Sequence, residues 1–305
     1  MRYLDYTVTK DDDGRQVENL LRKRLGMGTR GIRAAKFRED GIMLDGERVF
    51  TIAIAREGQT LSIAIGDTPD EIASNPVKPV EGPLDIVYED EDLIILNKQA
   101  GVGTHPGPKH NSDTLGNYLM HYYQQTQQEC LLHPVSRLDW DTTGLIIYAK
   151  NAYSQDFLQK RLHTDEFVRE YVAICHGLLE RQTGTIEAPI GLKGQSWETR
   201  DVYEGGKPAR THYRLLAHGQ FEESQVSLVR LRLDTGRTHQ IRIHLSHIGH
   251  PLIGDELYGG KPVIARPALH STYLRIIHPV SKRLLEFESP IPQDMRQVAE
   301  QLNWQ

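Results

Sequence analysis

Cysteine is nearly absent from this chain. Its 305 residues hold two, Cys130 and Cys175, far apart and in no metal-ligand spacing, so neither a disulfide framework nor a cysteine zinc site has any basis. Long apolar runs are missing as well. None approaches the roughly 20 residues needed to cross a bilayer, and the opening MRYLDYTVTKDDDG lacks the apolar centre of a secretion signal. A cytoplasmic location with no membrane partner is the expectation. Positive charge is not in excess either: 36 Lys and Arg stand against 41 Asp and Glu, a net charge of −5. Contact with nucleic acid must therefore come from local clustering of cations. There is no internal repeat or low-complexity tract.

What is present is an ordinary globular composition, 38% hydrophobic and 25% charged, at a length that favours two domains. In VENLLRKRL (17–25), Val17, Leu20, Leu21 and Leu25 make one helical stripe, Arg22, Lys23 and Arg24 fall off it, and Gly26 is the stop. RGIRAAKF predicts a second short helix carrying Arg30, Arg33 and Lys36. The hairpin IMLDGERVF, turning at Asp45-Gly46, and the strand QTLSIAI (59–65) complete the unit. A solvated face is the usual meaning of helix-borne charge. Six cations within fifteen residues of an acidic chain point instead to an RNA contact. The segments VENLLRKRLG, IRAAKFREDGIMLDGERV and REGQTLSIAI together resemble the α-L RNA-binding module, first described in a ribosomal protein of the small subunit.

DTPDEIASNPVKPVEGP (67–83) has four prolines and no sustained periodicity, which predicts an extended, semi-rigid linker. Beyond it the pattern predicts two strands, LDIVYED and DLIILNK, a glycine- and histidine-rich loop at 99–113, and an amphipathic helix around TLGNYLMHYY. Strands and helices then interleave without the strict rhythm of a parallel sheet. The expected fold class is α+β: a large mixed, mainly antiparallel sheet with flanking helices in 84–305, plus the small amino-terminal domain in 1–66.

Three stretches carry chemistry. In LLHPVSRLDWDTTGLIIYAKN, Arg137 and Asp139 sit on a connection feeding a buried strand; alone, such an Asp reads as a turn cap. In VREYVAICHG (168–177), Tyr171, Ala173 and Cys175 share one strand face and Val172 and Ile174 the other, so Tyr171 borders a cavity or packs in a core. LVRLRLDTGRTHQIRIHLSHIGHPLIGDELYGG reads as a strand, a turn at Thr235-Gly236, and a helix capped by Thr238 with the stripe Ile241, Leu245, Ile248; Arg242 lies beside that stripe. His239, His244, His247 and His250 do not put three ligands on one helical face, which argues against a metal.

These stretches, with LIILNKQAGVGTHPG before them and LHSTYLRIIHPVSKRLLEFESPIPQDM after, resemble the RluA/RluD type of RNA pseudouridine synthases over essentially the whole chain. The resemblance implies that Asp139 is the catalytic aspartate, Tyr171 the active-site tyrosine, and Arg242 the arginine paired with the aspartate. Arg137 matches the arginine that fills the space of a flipped base. Arg22, Lys23, Arg24, Arg30, Arg33 and Lys36 would hold RNA. Ser136 stands where many members have histidine, Thr143 where serine is commoner, and Gln99 where proline is usual.

The implied reaction cuts the bond from ribose to the uracil nitrogen, turns the base and rejoins it through a ring carbon. An ionised carboxylate near the sugar stabilises oxocarbenium character or attacks the anomeric carbon, and a guanidinium beside it favours the charged form. All atoms of the product are already in the substrate, so no cofactor or metal is called for. Structured RNA is the expected partner, ribosomal RNA before transfer RNA, with no obligatory protein partner evident. Two other readings remain open: a non-catalytic RNA-binding or ribosome-assembly protein, and a nucleoside hydrolase or glycosidase, for which Asp141 is the nearby candidate second acid.

Overall fold

Val17, Leu20 and Leu21 are fully buried while Arg22, Lys23 and Arg24 are exposed, the one-sided burial of an amphipathic helix. The computed structural model, which describes residues 2–107, 112–192, 199–302 and 304, forms this segment as α1 (Val17–Lys23) and the next as α2 (Thr29–Lys36). Their buried sides share a core with a four-stranded antiparallel sheet in the order β1 (Tyr3–Thr7), β4 (Thr60–Ala64), β2 (Ile42–Leu44), β3 (Glu47–Arg48). Asp45 and Gly46 join β2 to β3 with φ of 50° and 82°, the doubly left-handed turn that Asp-Gly favours. The sequence pattern did not reveal β1, because only Leu4 of its five residues is buried.

The expected extended linker needs correction. It contains a short helix, α3 (Pro69–Ala73), started by a capping box in which Thr68 and Glu71 bond reciprocally. The stretch after it is docked: Val80 N–H donates to the Asn117 carbonyl at 3.1 Å and Asn117 Nδ2 to the Lys78 carbonyl at 2.8 Å.

A ten-stranded sheet follows, antiparallel except where β8 and β15 run parallel. Its strands are β5 (Ile86–Glu89), β6 (Leu93–Lys98), β7 (His133–Pro134), β8 (Thr143–Ala149), β9 (Phe167–His176), β10 (Thr183–Glu187), β13 (Arg210–Phe221), β14 (Ser224–Leu233), β15 (Leu269–Ile277) and β16 (Leu284–Glu288). The main path is β10-β13-β14-β9-β15-β8-β6-β5, and a separate two-stranded ribbon pairs β11 (Ile190–Leu192) with β12 (Arg200–Val202). All seven residues of β8 are buried, as a central strand covered on both faces requires.

Period-2 alternation divides the core. Tyr171, Ala173 and Cys175 of β9 join a cluster with α4 (Leu115–Gln125) and α6 (Gln240–His247). Val172 and Ile174 face the other way, onto Met295, Val298 and Ala299 of α7 (Gln293–Gln301). On the far half of the sheet, Leu93, Ile95 and Ile147 share one core with Phe157 and Leu158 of α5 (Ala152–Gln159) and with the amino-terminal helices. Of the loop at 99–113, residues 108–111 lie outside the described residues.

Candidate active site

The connection between β7 and β8 has its backbone held from four directions. Thr104 Oγ1 accepts from Leu138 N–H at 3.2 Å and donates to the Leu138 carbonyl at 3.0 Å. Thr142 N–H closes a turn onto the Asp139 carbonyl at 3.2 Å. Lys98, 1% exposed, donates to the carbonyls of Trp140 (2.8 Å), Val102 (2.7 Å) and Gln99 (2.9 Å). Arg266 Nη1 reaches the Asp141 carbonyl at 3.1 Å while its Nε and Nη2 grip Asp294 on α7. Burial pulls the Lys98 ammonium down to about 8, with Asp141 and Asp139 opposing. At Gly144, where φ is +106° and a Cβ would lie 2.2 Å from the Ser271 carbonyl oxygen, only glycine lets β8 run this close to β15.

Thus anchored, Asp139 opens into a pocket of about 320 Å³ lined by Arg137, Leu138, Tyr171, Leu233, His239 and Ile241 among others. That volume is at the small end of ligand pockets, roughly 300–1,000 Å³, and suits one nucleotide. Tyr171 is 4% exposed, and Arg137 is exposed beside Asp139. Arg169 and Arg237 add a cationic rim, and His163 lines the pocket beside them. Burial, reinforced by Arg169 and Arg237, lowers the His163 pKa; burial and Arg137 do the same for His105.

Arg242 stands behind the carboxylate. Its Nη1 is 4.0 Å from Asp139 Oδ2, a long ion pair rather than a hydrogen bond, and His239 Nε2 is 4.0 Å from Oδ1. The close partner of Arg242 is Asp255, 1% exposed, whose two oxygens accept from Nε and Nη2 at 2.7 Å each. Burial opposes the guanidinium charge, but Asp255 and then Asp139 outweigh it and raise the pKa of Arg242. Tyr258 closes the ring: its hydroxyl lies 2.8 Å from His239 Nδ1, and Arg242 sits 5.0 Å over its face.

Asp255, Tyr258 and His239 were missed by sequence reasoning. GDELYGG was visible beside the arginine segment, but no periodicity tied it to α6. His239 was considered only as a metal ligand. It is the N-cap residue of α6, left-handed at φ 58°, and its side chain caps nothing, so the expectation that Thr238 caps this helix is corrected. Gln240 Oε1 instead accepts from Arg237 N–H at 3.0 Å. His244 is buried between Thr211 and the Ala188 carbonyl, and His250 bonds the His176 carbonyl. Thr143 keeps a hydroxyl 2.8 Å from His270 Nδ1, in a pocket whose burial pulls that imidazole down to about 4.

The other predicted residues fall elsewhere. Arg22, Lys23, Arg24, Arg30, Arg33 and Lys36 lie on or beside α1 and α2, and none lines the pocket. Asp90, Asp92 and His278 bring potential ligand atoms within 4.8 Å, but their lone pairs are occupied. Asp90 Oδ1 accepts two backbone N–H groups, Asp92 is held by Arg2 and Asn151, and His278 Nδ1 accepts from Val280 and Ser281 N–H.

Comparison with known proteins gives a consistent result. Residues 92–247 match the family model described as RNA pseudouridylate synthase. Ribosomal large subunit pseudouridine synthase D of Escherichia coli is 42% identical over 238 residues, 73% of this chain and 72% of that protein. The uncharacterized RNA pseudouridine synthase YjbO of Bacillus subtilis is 37% identical over 272 residues, 89% of this chain and 94% of its own length. Among solved structures, human RNA pseudouridylate synthase domain containing 1 superposes with a TM-score of 0.57 at 26% identity, covering 72% of this chain and 95% of that one.

Proposed function

Because the chain belongs to the RNA pseudouridylate synthase family and is an enzyme that isomerises uridine to pseudouridine in RNA, we propose that Asp139 is its catalytic carboxylate and large-subunit ribosomal RNA its substrate. The observation that carries the first part is the pairing of Asp139 with Arg242 at 4.0 Å beside a nucleotide-sized pocket. The second part rests on the similarity to ribosomal large subunit pseudouridine synthase D. Residues 1–66 are read as an RNA-binding domain, 67–83 as its connector, and 84–305 as the catalytic domain.

In this reading Asp139 acts at the sugar as the C1′–N1 bond breaks. Positive character develops on the ribose, and an ionised carboxylate held in a fixed loop stabilises it without reorganisation. Arg242 sets a positive charge against that carboxylate, and Asp255 fixes the guanidinium so that Nη1 points at it. Tyr171, on the pocket wall, lies against the uracil ring as it turns. When C1′ bonds C5, the C5 proton leaves and N1 gains one, so the exchange balances within the base. The target nucleotide is extruded from the RNA at a cost of a few kcal/mol. Arg137, exposed at the pocket mouth and planar, occupies the gap it leaves.

Asp139→Asn is nearly isosteric but removes the charge. It is expected to abolish isomerisation while RNA affinity stays within a few-fold. Single-turnover assays with ribosomal RNA check this, and substantial conversion by the variant overturns the assignment.

A further inference from the structure

The six amino-terminal cations are not equivalent. Arg24 is committed to Asp12, with Nε 2.8 and 3.0 Å from its oxygens, and Arg22 to Glu18 at 2.9 and 3.0 Å. The neighbouring Arg38 is also committed, to the Gly66 carbonyl and to Glu71. Lys23, Arg30, Arg33 and Lys36 are exposed, with no ion pair or side-chain hydrogen bond among the described residues. Three of these four belong to α2. Beside them, immediately after the last residue of α2, stands Phe37, 75% exposed.

At 100° per residue, Arg30, Arg33 and Phe37 fall on one stripe of this helix, opposite the buried Ile32 and Ala35. The residue three before Phe37 is Ala34, too small to cover the ring. An isolated exposed apolar side chain is unremarkable in itself. An open aromatic face in line with two uncommitted guanidiniums is the combination that receives single-stranded nucleic acid: the ring stacks a base while the cations hold phosphates.

We propose that Phe37 is a stacking platform for an unpaired base of the substrate RNA, with Arg30 and Arg33 on the flanking phosphates. The proposal rests on the reading of residues 1–66 as an RNA-binding domain and adds that this domain selects loop over duplex. A base inside a helix already has both faces stacked, so Phe37 gains nothing from it. The occupant is a nucleotide rather than an apolar protein surface because the charges in line with Phe37 on α2, Arg30 and Arg33, are both positive, while the exposed Glu39 and Asp40 follow only after the helix has ended.

The test measures binding of the full-length protein to a hairpin RNA with a single-stranded loop, and to a fully paired duplex of equal length, over a range of salt. Phe37→Ala is expected to weaken hairpin binding about 5- to 100-fold at every salt concentration, with the slope against salt unchanged and duplex binding unaffected. Phe37→Tyr keeps the affinity; Phe37→Leu, apolar without a ring face, behaves like Phe37→Ala. Arg30→Ala and Arg33→Ala each flatten the salt slope by about 0.7–0.9. Full affinity in Phe37→Leu, or in Phe37→Ala with flattened slopes in the arginine variants, overturns the stacking proposal while leaving the phosphate grip standing. If neither the phenylalanine nor the arginine variants change binding, both the proposal and the domain reading fall. Unchanged thermal midpoints, expected for so exposed a side chain, exclude unfolding as the cause of a loss.

Discussion

Two arginines show how partners decide what a cation does. Arg242 has Asp255 at 2.7 Å and Asp139 at 4.0 Å, so the nearer carboxylate positions it and, in the proposed reaction, the farther one uses its charge. Asp255→Asn would turn an amide N–H toward a guanidinium N–H. Losing one hydrogen bond to a charged group costs roughly 1.5–3 kcal/mol, so kcat should fall about 10- to 100-fold with RNA affinity nearly unchanged. Wild-type kcat in this variant would remove Asp255 from the positioning chain. Arg24, by contrast, serves the buried Asp12, which also accepts from Tyr6 and Thr9. Arg24 holds the Asp12 carboxyl down to about 2, against 3.8 ordinarily, with burial opposing. A depressed carboxyl contributes stability that is present above the unfolded value and lost as pH falls through the folded one. Arg24→Ala should therefore lower the unfolding midpoint at neutral pH and reduce that acid-side loss between about pH 4 and 2, while leaving the salt slope of RNA binding alone. A flattened slope would return Arg24 to the RNA-contacting set.

At the level of elements, the connection between β7 and β8 is held in place by buried cations bonded to its carbonyls. Lys98 spans three carbonyls from within the core, and burial brings it to about 8 from 10.5. The unfolded chain binds the extra proton between those values, so the Lys98 contribution to stability rises as pH rises from about 8 to 10.5. Urea unfolding should show the gap between wild type and Lys98→Met widening over that window; a constant gap would mean that the burial of Lys98 is not felt. Much at this level was legible in the sequence. The helices of residues 17–36, the Asp-Gly hairpin, the two faces of β9 and the buried run of β8 are short-range patterns of period 3.6 or 2, set by neighbours in the chain. Asp139, Tyr171 and Arg242 were singled out from their motifs. What stayed hidden depends on contacts between distant segments. Lys98 reads as the end of an apolar strand, Arg266 as a loop cation, and β1 as a polar stretch, until the fold sets them against Trp140, Asp294 and β4.

For the whole molecule, the consequence lies in how the amino-terminal helices meet the large sheet. Leu20, Leu21 and Ile32 belong to the same buried cluster as Leu93, Ile147, Phe157 and Leu158. Polar ties cross the same boundary: Arg2 Nη2 to Asp92 at 3.1 Å, Tyr153 hydroxyl to the Leu25 carbonyl at 2.8 Å, and Lys160 to the Gly26 carbonyl at 3.3 Å. From the sequence, a proline-rich connector predicts a catalytic domain that folds alone, so that deleting residues 1–70 weakens RNA binding and spares the rate. The shared core changes that expectation. Deletion uncovers the apolar faces of α5 and of β6 and β8 and removes one partner of Asp92, Arg2, and each fully buried aliphatic or aromatic side chain re-exposed forfeits roughly 1.5–3 kcal/mol. The truncated protein should unfold at a markedly lower temperature and lose rate along with affinity. Point variants on α2, which leave the shared core intact, should reduce affinity alone. Calorimetry of the truncation beside full-length Arg30→Ala separates the two: a truncation as stable as the full chain, with unchanged rate at saturating RNA, would show that the amino-terminal unit only grips substrate and does not brace the catalytic sheet.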